Sequence, residues 1–412
     1  MTETAIDWTS HYATRAARMG ASEIRELLKL LDQPGILSFA GGIPDPAFFP
    51  SAAVQVATAG ILGTPATSNQ ALQYAPSEGY RPLREWLMAH MAGMGVPCGV
   101  DNIVITGGSQ QGLDMLGKLL ISPGDTMLVT SPTYLGALQA FNPYEPRYDT
   151  LDLSGNMTPA GLSDGAKAAG GRIAAAYVVP DFANPTGESM TLAAREALLD
   201  LVTELGVPLI EDAAYTALRF EGEAFASCLA LDVARTGSID RSRVVYCGTF
   251  SKTISPGLRV GWVCAAAELV HKIVLAKQAA DLHSPSLSQM IIHRVAVAEY
   301  DVILPALNAA YASRRDAMLA ALATAMPAGV HWTHPGGGMF VWVTLPGGMD
   351  SAALLARAIA EERVAFVPGA AFHADGSGRN TFRLAYSLQP EAVITDGMTR
   401  LGGLVGRMLG GR

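Results

Sequence analysis

The sequence predicts an α/β fold in which a large domain, with a mostly parallel sheet flanked by helices, is followed by a smaller α+β domain. Between residues 102 and 264, short apolar runs alternate with segments of helical length, and several of the runs are continuously apolar. Such runs are typical of strands that are buried on both faces of a parallel sheet. The chain has 412 residues, of which 50% are apolar and 16% are charged, so it can bury a large core. Disorder over long stretches is excluded.

An amphipathic helix, with Ser22 as its N-cap and Pro34-Gly35 at its end, is predicted near the N-terminus. Seven apolar runs are predicted to be strands, at residues 102–106, 126–130, 148–153, 173–179, 208–210, 244–247 and 260–264. The segments between them, such as 111–120 and 192–205, have the length and periodicity of helices. Strands that alternate with helices in this way predict the α/β class.

The C-terminal part has a different pattern, which follows a long helical region from about residue 287 to residue 326. Its predicted elements are strands at 331–345 (around a glycine turn at 336–339), 363–368 and 381–386, and helices at 352–362 and 390–409. We therefore predict three parts: an N-terminal arm (1–45) that joins the small domain, a large cofactor-binding domain (46–290) and a small C-terminal domain (291–412).

Charge and cysteine usage argue against several classes of protein. The 29 basic and 37 acidic residues give a net charge of −8, and no basic run is present, so nucleic acid is not expected as a partner. The four cysteines show no Cys-x-x-Cys pair and are interpreted as reduced thiols of a cytoplasmic protein. No secretory signal and no apolar stretch of the ~20 residues that cross a bilayer is found, so no membrane partner is expected. His331 and His334 have no nearby acid or thiol that would complete a metal site.

A glycine-rich turn, Gly107-Gly108-Ser109-Gln110, follows a predicted strand and opens a predicted helix. The N-terminus of a helix offers free backbone N–H groups and a positive dipole, so a phosphate fits there. Ser109 stands where a dinucleotide-binding fingerprint has glycine, which argues against a nicotinamide dehydrogenase. Taken alone, this turn is better interpreted as an ordinary connection between a strand and a helix.

Lys252 lies in a polar loop between two apolar strands, with hydroxyl residues, glycines and Arg259 close by. Most loop lysines are solvated surface charges, but these neighbours suit the second half of a phosphate cup. A partly desolvated lysine near another cation has a lowered pKa and can form a Schiff base.

Asp212, Tyr215 and Asn184 follow the ends of two predicted strands, where open α/β sheets bind ligands. Singly, they are explained as a helix N-cap, a core aromatic and a turn residue before proline. Together with the phosphate cup and Lys252, they make the set that a pyridine-phosphate cofactor requires. In that set an acid keeps the ring nitrogen protonated, a hydroxyl and an amide hold the ring oxygen, and a lysine forms the imine.

Four motifs, in this order and spacing, resemble the fold-type I pyridoxal-phosphate aminotransferases of class I and II. They are Gly-Gly-Ser-Gln-Gln-Gly at 107–112, Asn-Pro-Thr-Gly at 184–187, Glu-Asp-x-x-Tyr at 211–215 and Ser-Lys-x-x-x-Pro-Gly-Leu-Arg-x-Gly at 251–261. The resemblance extends from about residue 18 to the C-terminus. It implies an aspartate-aminotransferase-like fold with pyridoxal 5'-phosphate as the cofactor. Residues 21–30, 37–44 and 75–79 are similar to the 2-aminoadipate and kynurenine aminotransferase branch.

The resemblance implies a role for each motif residue. Lys252 would be the Schiff-base lysine and proton carrier, and Asp212 the partner of the pyridine nitrogen. Asn184 and the third catalytic residue, Tyr215, would hold the ring oxygen, while Tyr134 would stack on the ring face. The residues that it implies at the phosphate are Gly108, Ser109, Gln110, Thr249, Ser251 and Arg259.

The resemblance also implies substrate contacts and a partner subunit. Arg383 would bind the α-carboxylate of the substrate, with Gly42 and Asn184 beside it. Arg25 would meet a distal carboxylate of 2-aminoadipate or glutamate, and a solvated helix arginine is an equally good interpretation. Tyr74 would reach the cofactor of a neighbouring subunit, so the family implies a homodimer with a shared active site.

We therefore expect a transaminase that moves the α-amino group of 2-aminoadipate, glutamate, leucine or an aromatic amino acid to a 2-oxo acid such as 2-oxoglutarate. Two alternatives keep the same cofactor residues. A pyridoxal-phosphate lyase or decarboxylase differs in the bond that is broken at Cα, and a regulatory module binds the cofactor without turnover. The related fused regulators carry a further DNA-binding domain, for which this chain is expected to have no room.

Overall fold

A computed structural model describes residues 6–20, 35–151 and 158–410 of the chain. The predicted helix at Ser22 and the end of the predicted strand at 148–153 lie outside the described residues. The strands in chain order are β1 (Leu37–Ser38), β2 (Ile103–Thr106), β3 (Thr126–Val129), β4 (Arg147–Thr150), β5 (Ile173–Val178), β6 (Leu209–Asp212), β7 (Val244–Thr249), β8 (Gly261–Cys264), β9 (His331–Trp332), β10 (Phe340–Thr344), β11 (Val364–Ala365), β12 (Val367–Pro368) and β13 (Thr381–Ala385).

The α-helices within the described residues are numbered in the same way. They are α1 (Ser51–Leu62), α2 (Pro65–Leu72), α3 (Arg81–Gly93), α4 (Ser109–Leu120), α5 (Leu135–Phe141), α6 (Pro159–Ala168), α7 (Leu192–Leu205), α8 (Cys228–Thr236), α9 (Ala267–Ala280), α10 (Ser286–Ala325), α11 (Ser351–Arg357) and α12 (Glu391–Gly410). None of these helices combines the length with the apolar character that a membrane span requires.

Seven strands form one sheet in the order β2-β8-β7-β6-β5-β3-β4. The five strands from β7 to β4 are parallel to one another, whereas β8 is antiparallel to both β7 and β2. Each of the seven predicted apolar runs overlaps one strand of this sheet, and the prediction of a mostly parallel α/β sheet is confirmed.

The burial of these strands explains their composition. Every residue of β2, β3, β5, β6, β7 and β8 is buried, as expected for strands that are covered by helices on both faces. The exception is the edge strand β4, which exposes Arg147 and Thr150. Polar and charged residues on an edge strand oppose pairing with another chain.

A second sheet of four antiparallel strands, in the order β12-β13-β10-β9, lies in the C-terminal part. The predicted strand at 363–368 is in fact two strands, because β11 pairs with β1 whereas β12 pairs with β13. The predicted helix at 352–362 is also divided in two. Its α-helical part ends at Arg357, and a π-helical turn, Ala358–Glu362, follows.

The pairing of β1 with β11 brings residues 37–38 of the predicted arm against the C-terminal part of the chain. The predicted boundary at residues 290 and 291 falls inside the 40-residue helix α10. This helix contacts α1 and α3 of the N-terminal half and also α12 near the C-terminus. The division of the chain into three parts stays a prediction.

The loop between β5 and α7 is anchored by a buried ion pair. Arg195 on α7 donates to Asp181 at 2.7 Å and to the Pro180 carbonyl at 3.2 Å, and both side chains of the pair are at most 3% exposed. Arg219 also donates to Asp181, at 2.9 Å. Because Asn184 lies three residues after Asp181, this ion pair fixes the loop that carries it.

We predict that Arg195→Met lowers the free energy of unfolding by about 3 kcal/mol, because the substitution leaves the buried Asp181 charge with Arg219 as its one cationic partner among the described residues. The measurement is urea denaturation of the wild type and the variant. The matched control is Arg235→Met, which removes an exposed 2.7 Å pair with Asp200 between α8 and α7. It is expected to cost less than about 1 kcal/mol. Equal losses in the two variants would contradict the role of the buried pair.

Candidate active site

A cavity of about 590 Å³ opens where the carboxyl ends of β2, β3, β5, β6 and β7 meet at one edge of the large sheet. This is the position where open α/β sheets bind ligands. Twelve of the predicted site residues line it: Gly42, Ser109, Gln110, Tyr134, Asn184, Asp212, Tyr215, Thr249, Ser251, Lys252, Arg259 and Arg383.

Three predicted site residues are not in that lining. Gly108 directly precedes the cavity residue Ser109 and is the N-cap of α4. Tyr74 lies on the surface, 79% exposed, with its ring edge-on to His283 at 6.0 Å. Arg25 lies outside the described residues, so its predicted contact with a distal carboxylate is not tested.

The residues predicted to bind the phosphate come together at the start of α4. Gly108 has φ +83°, a conformation that favours glycine, and it turns the chain from β2 into the helix. Arg259, on the neighbouring loop, donates from Nη2 to the Gly107 carbonyl at 2.9 Å. Thr249 Oγ1 donates to Ser251 Oγ at 2.9 Å. Backbone N–H groups, hydroxyls and a guanidinium are the groups that bind a phosphate.

Lys252 lies in the loop after β7, and its Nζ donates to the Gly42 carbonyl at 3.0 Å. Gly42 can approach this closely because it lacks a Cβ, which would overlap the ring of Phe340. Burial lowers the pKa of Lys252 to about 8, with the cations of Arg383 and Arg259 acting in the same direction. A substantial fraction of the amine is therefore neutral, and so nucleophilic, near pH 8.

Asp212 ends β6 and is 2% exposed. Its Oδ2 accepts a hydrogen bond from Tyr177 at 2.9 Å, whereas its Oδ1 is buried and has no hydrogen-bond partner among the described residues. Burial raises the pKa of Asp212 to about 6, and hydrogen bonds from Tyr177 and from the Ala214 backbone oppose this rise. The unpaired, buried Oδ1 fits a carboxylate whose partner is the protonated nitrogen of a bound ring.

A chain of hydrogen bonds joins β13 of the small sheet to the segments that follow β5 and β6 of the large sheet. Asn184 Nδ2 donates to Tyr215 Oη at 3.4 Å, and Arg383 Nη1 on β13 donates to Asn184 Oδ1 at 2.7 Å. Arg383 also donates from Nη2 to the Ala40 carbonyl at 2.6 Å, while its buried Nε has no partner within the part of the chain that the structure describes. Burial lowers the pKa of Arg383 to about 10, so the guanidinium stays charged at neutral pH.

Sequence reasoning missed the aromatic residues that surround this arginine. The Arg383 guanidinium lies over the rings of Phe340 and Phe372, at 4.3 and 5.0 Å from the centroids. Sequence reasoning also missed Tyr177, because it lies within an otherwise apolar strand. The register of β5 against β6 was the information needed to pair Tyr177 with Asp212, and no local pattern carries that information.

The cavity is electropositive, because Lys252, Arg259 and Arg383 face a single carboxylate, Asp212, among its described lining residues. Such a site suits a ligand with several negative charges, such as a phosphate together with a carboxylate. In residues 6–20, 35–151 and 158–410, no three His, Cys, Asp or Glu side chains are grouped as metal ligands. The residues present fit pyridoxal phosphate: Asp212 would meet the ring nitrogen, Lys252 would bond to the carbonyl carbon, and the start of α4 would hold the phosphate.

Comparisons with known proteins agree with this chemistry. A family model described as aminotransferase class I and II matches residues 44–395. The chain is 42% identical to a 2-aminoadipate transaminase of Thermus thermophilus over 403 residues, 96% of this chain and 97% of that protein. It is 39% identical to aromatic-amino-acid aminotransferase 1 of Thermococcus litoralis, over 96% of this chain and 94% of that protein.

A solved structure gives the same result for the fold and the cofactor. The α-aminoadipate aminotransferase of Thermus thermophilus, complexed with N-(5'-phosphopyridoxyl)-L-leucine, has a TM-score of 0.86 and 39% identity. The match covers 99% of this chain and 100% of that one. The aspartate-aminotransferase-like fold and pyridoxal phosphate as the cofactor, both predicted from the motifs, are confirmed.

We predict that the rate at which pyridoxal phosphate attaches to the cofactor-free protein rises about tenfold per pH unit and levels off above about pH 8. Only the neutral amine of Lys252 attacks an aldehyde. Because the pKa of Lys252 is lowered, the amine loses its proton at a pH about two units below that of an ordinary lysine. The measurement is stopped-flow absorbance of the cofactor between pH 6 and pH 11.

The control for this measurement is Arg383→Met, which removes a cation that lowers the pKa of Lys252. The plateau should then begin at a higher pH. A wild-type rate that continues to rise up to about pH 10, as for an exposed lysine, would contradict the assignment.

Proposed function

The chain belongs to the aminotransferases of class I and II, and we propose that it moves the α-amino group of 2-aminoadipate, glutamate, leucine or an aromatic amino acid to a 2-oxo acid such as 2-oxoglutarate. The observation that carries the proposal is the convergence of Lys252, Asp212 and Arg383 in one buried, electropositive cavity. These three side chains supply a nucleophilic amine, a partner for the ring nitrogen and a fork for a carboxylate.

Lys252 is the proposed catalytic base and nucleophile. Its Nζ would hold the cofactor between turnovers, and as a free amine it would move the proton from Cα of the bound amino acid to the carbon of the cofactor. In the second half of the reaction it would move a proton in the opposite direction. Burial and two nearby cations keep part of this amine neutral near physiological pH. The bound cofactor supplies an electron sink for the bonding pair that the Cα proton leaves behind.

The other polar groups orient the cofactor and keep its ring protonated. Asp212 would accept a hydrogen bond from the ring N–H, and Asn184 and Tyr215 would form hydrogen bonds with the ring oxygen. Tyr134 covers a ring face. The proposed phosphate ligands are the start of α4 with Gly108, Ser109 and Gln110, together with Thr249, Ser251 and Arg259. These roles are supported by the shared cavity and by the family's motifs.

Arg383 is the proposed site of the substrate α-carboxylate, since its planar fork suits bidentate binding and its Nε is unpaired among the described residues. The remaining cavity wall includes the apolar side chains of Ile43 and Leu135 and the amide of Gln139. Apolar walls favour leucine and aromatic side chains. A distal carboxylate needs a further cation, for which Arg25 is the proposed residue.

We also propose that the protein is a homodimer in the cytoplasm. The exposed Tyr74 does not line the cavity of its own chain, so its ring is available to a neighbouring one. Leu72, close to it in sequence, is 73% exposed, which supports an interface here. The four cysteines form no disulfide, as expected in a reducing compartment.

We predict that adding 2-aminoadipate alone converts the visible absorbance of the bound cofactor to that of its amine form, and that 2-oxoglutarate then reverses the change. A transaminase releases its first product before the second substrate binds, so each half of the reaction is visible by itself. The measurement is an absorbance titration of the holoenzyme with 2-aminoadipate, glutamate, leucine and phenylalanine in turn.

Two variants serve as controls for this titration. Lys252→Ala should abolish turnover, and retained turnover would contradict the proposed base. Arg25→Ala should raise the concentration of 2-aminoadipate needed for half-conversion about tenfold and leave the leucine value unchanged. Equal effects on both donors would contradict the role of Arg25, and no conversion by any donor would contradict the proposed substrates.

We predict that co-expressing Lys252→Ala with Tyr74→Ala yields more activity than either variant alone. In a mixed dimer, one site combines an intact Lys252 with an intact Tyr74 from the other chain, so about a quarter of all sites are restored under random pairing. Activity assays of the purified mixture, with light scattering for the oligomer mass, test this. A monomeric mass, or activity no greater than the mean of the two variants, would contradict the shared site.

A further inference from the structure

Tyr177 carries a hydroxyl into the interior of the large sheet. It lies in β5, whose sequence Ile-Ala-Ala-Ala-Tyr-Val is otherwise apolar, and its side chain is fully buried. A buried hydroxyl without a partner costs stability, so its position calls for a specific acceptor. That acceptor is Asp212 Oδ2, at 2.9 Å.

The sheet register explains why these two side chains meet. Tyr177 on β5 is opposite Ile210 on β6, and Asp212 follows Ile210 by two residues, so all three side chains are on one face of the sheet. The Tyr177 ring packs edge-on against Phe141 at 5.8 Å. A strand and a packed ring therefore hold the hydroxyl, which makes it a rigid donor.

The strand on the other side of β6 offers Asp212 no comparable donor. Cys247 on β7 is the residue opposite Asp212, and a thiol is only a weak donor. Asp212 consequently has one oxygen tied to Tyr177 and the other, Oδ1, buried and unpaired among the described residues. Asp212 lines the cavity, so Oδ1 is the oxygen that remains for the cofactor.

We propose that Tyr177 is a positioning residue. It fixes the Asp212 carboxylate so that Oδ1 accepts a hydrogen bond from the protonated ring nitrogen of pyridoxal phosphate. The inference rests on the proposed role of Asp212 and adds the residue through which that role is set. Without the hydroxyl, the Asp212 carboxylate would keep the hydrogen bond from the Ala214 backbone but lose its side-chain donor, so its rotation about the Cβ–Cγ bond would be less restricted and Oδ1 would be held less firmly toward the ring.

The electrostatics act in the same direction. Burial raises the pKa of Asp212, and the hydrogen bond from Tyr177 opposes this by stabilising the ionised form that the ring nitrogen requires. Burial and the neighbouring carboxylate raise the pKa of Tyr177 well above its ordinary value, so its hydroxyl stays protonated and remains a donor.

The test compares two cofactors in the full-length holoenzyme. One is pyridoxal phosphate, and the other is its analogue with carbon in place of the ring nitrogen. For Tyr177→Phe, the rate of release of pyridoxal phosphate after dilution should rise about tenfold, while the release of the analogue should change less than about twofold. A residue that merely fills space would change both release rates alike, because both cofactors have the same shape and phosphate.

Tyr246→Phe is the matched control, since it removes a hydroxyl from a buried tyrosine of the same sheet. Tyr246 is opposite Glu211 on β6, so its side chain is on the sheet face away from Asp212. The Tyr246→Phe variant should therefore release both cofactors at the wild-type rates. Retention of the analogue by Tyr177→Phe also shows that the variant is folded with an intact cavity.

The outcomes separate this inference from the role on which it rests. If the wild type releases the two cofactors equally fast, the role of Asp212 fails, and the inference fails with it. If the wild type holds pyridoxal phosphate more tightly and Tyr177→Phe keeps that preference, the role of Asp212 stands and the inference is overturned.

Discussion

The site depends on the parallel pairing of β7, β6, β5 and β3. Parallel strands end at the same edge of a sheet, so the segments that follow them are brought together whatever their separation in the chain. Lys252 follows β7, Asp212 ends β6 and Asn184 follows β5. β2, parallel to these strands across the antiparallel β8, adds the phosphate cup at the start of α4. A cavity with an amine, a carboxylate and an anion site follows from this one arrangement.

Burial then gives the collected groups their chemistry. Taking Lys252 out of water, next to two guanidinium groups, lowers the pKa of an amine that would be fully charged in solvent. The same burial raises the pKa of Asp212, and a hydrogen bond from Tyr177 limits that rise. A lysine that is partly neutral and an aspartate that is mostly ionised therefore coexist near neutral pH. This is the combination that a pyridoxal-phosphate enzyme requires.

The small sheet completes the site from the other side. Arg383 lies in β13, between β10 and β12, and is fixed by Phe340, Phe372 and the Ala40 carbonyl. Its 2.7 Å hydrogen bond to Asn184 joins residues that are 199 positions apart, one in the small sheet and the other in the loop that follows β5 of the large sheet. Binding of a substrate carboxylate at Arg383 is thereby connected to the residue proposed to hold the cofactor ring.

The sequence by itself determined the α/β class, the approximate positions of the seven strands and the motif residues that line the cavity. These features are local, since apolar runs, glycine turns and motif spacings are properties of short segments. The division of 363–368 between two sheets, the aromatic rings around Arg383, the exposed position of Tyr74 and the contact of Tyr177 with Asp212 were decided by the tertiary structure. Each depends on packing between segments that are distant in the chain, including strand order and register, and no single segment carries that information.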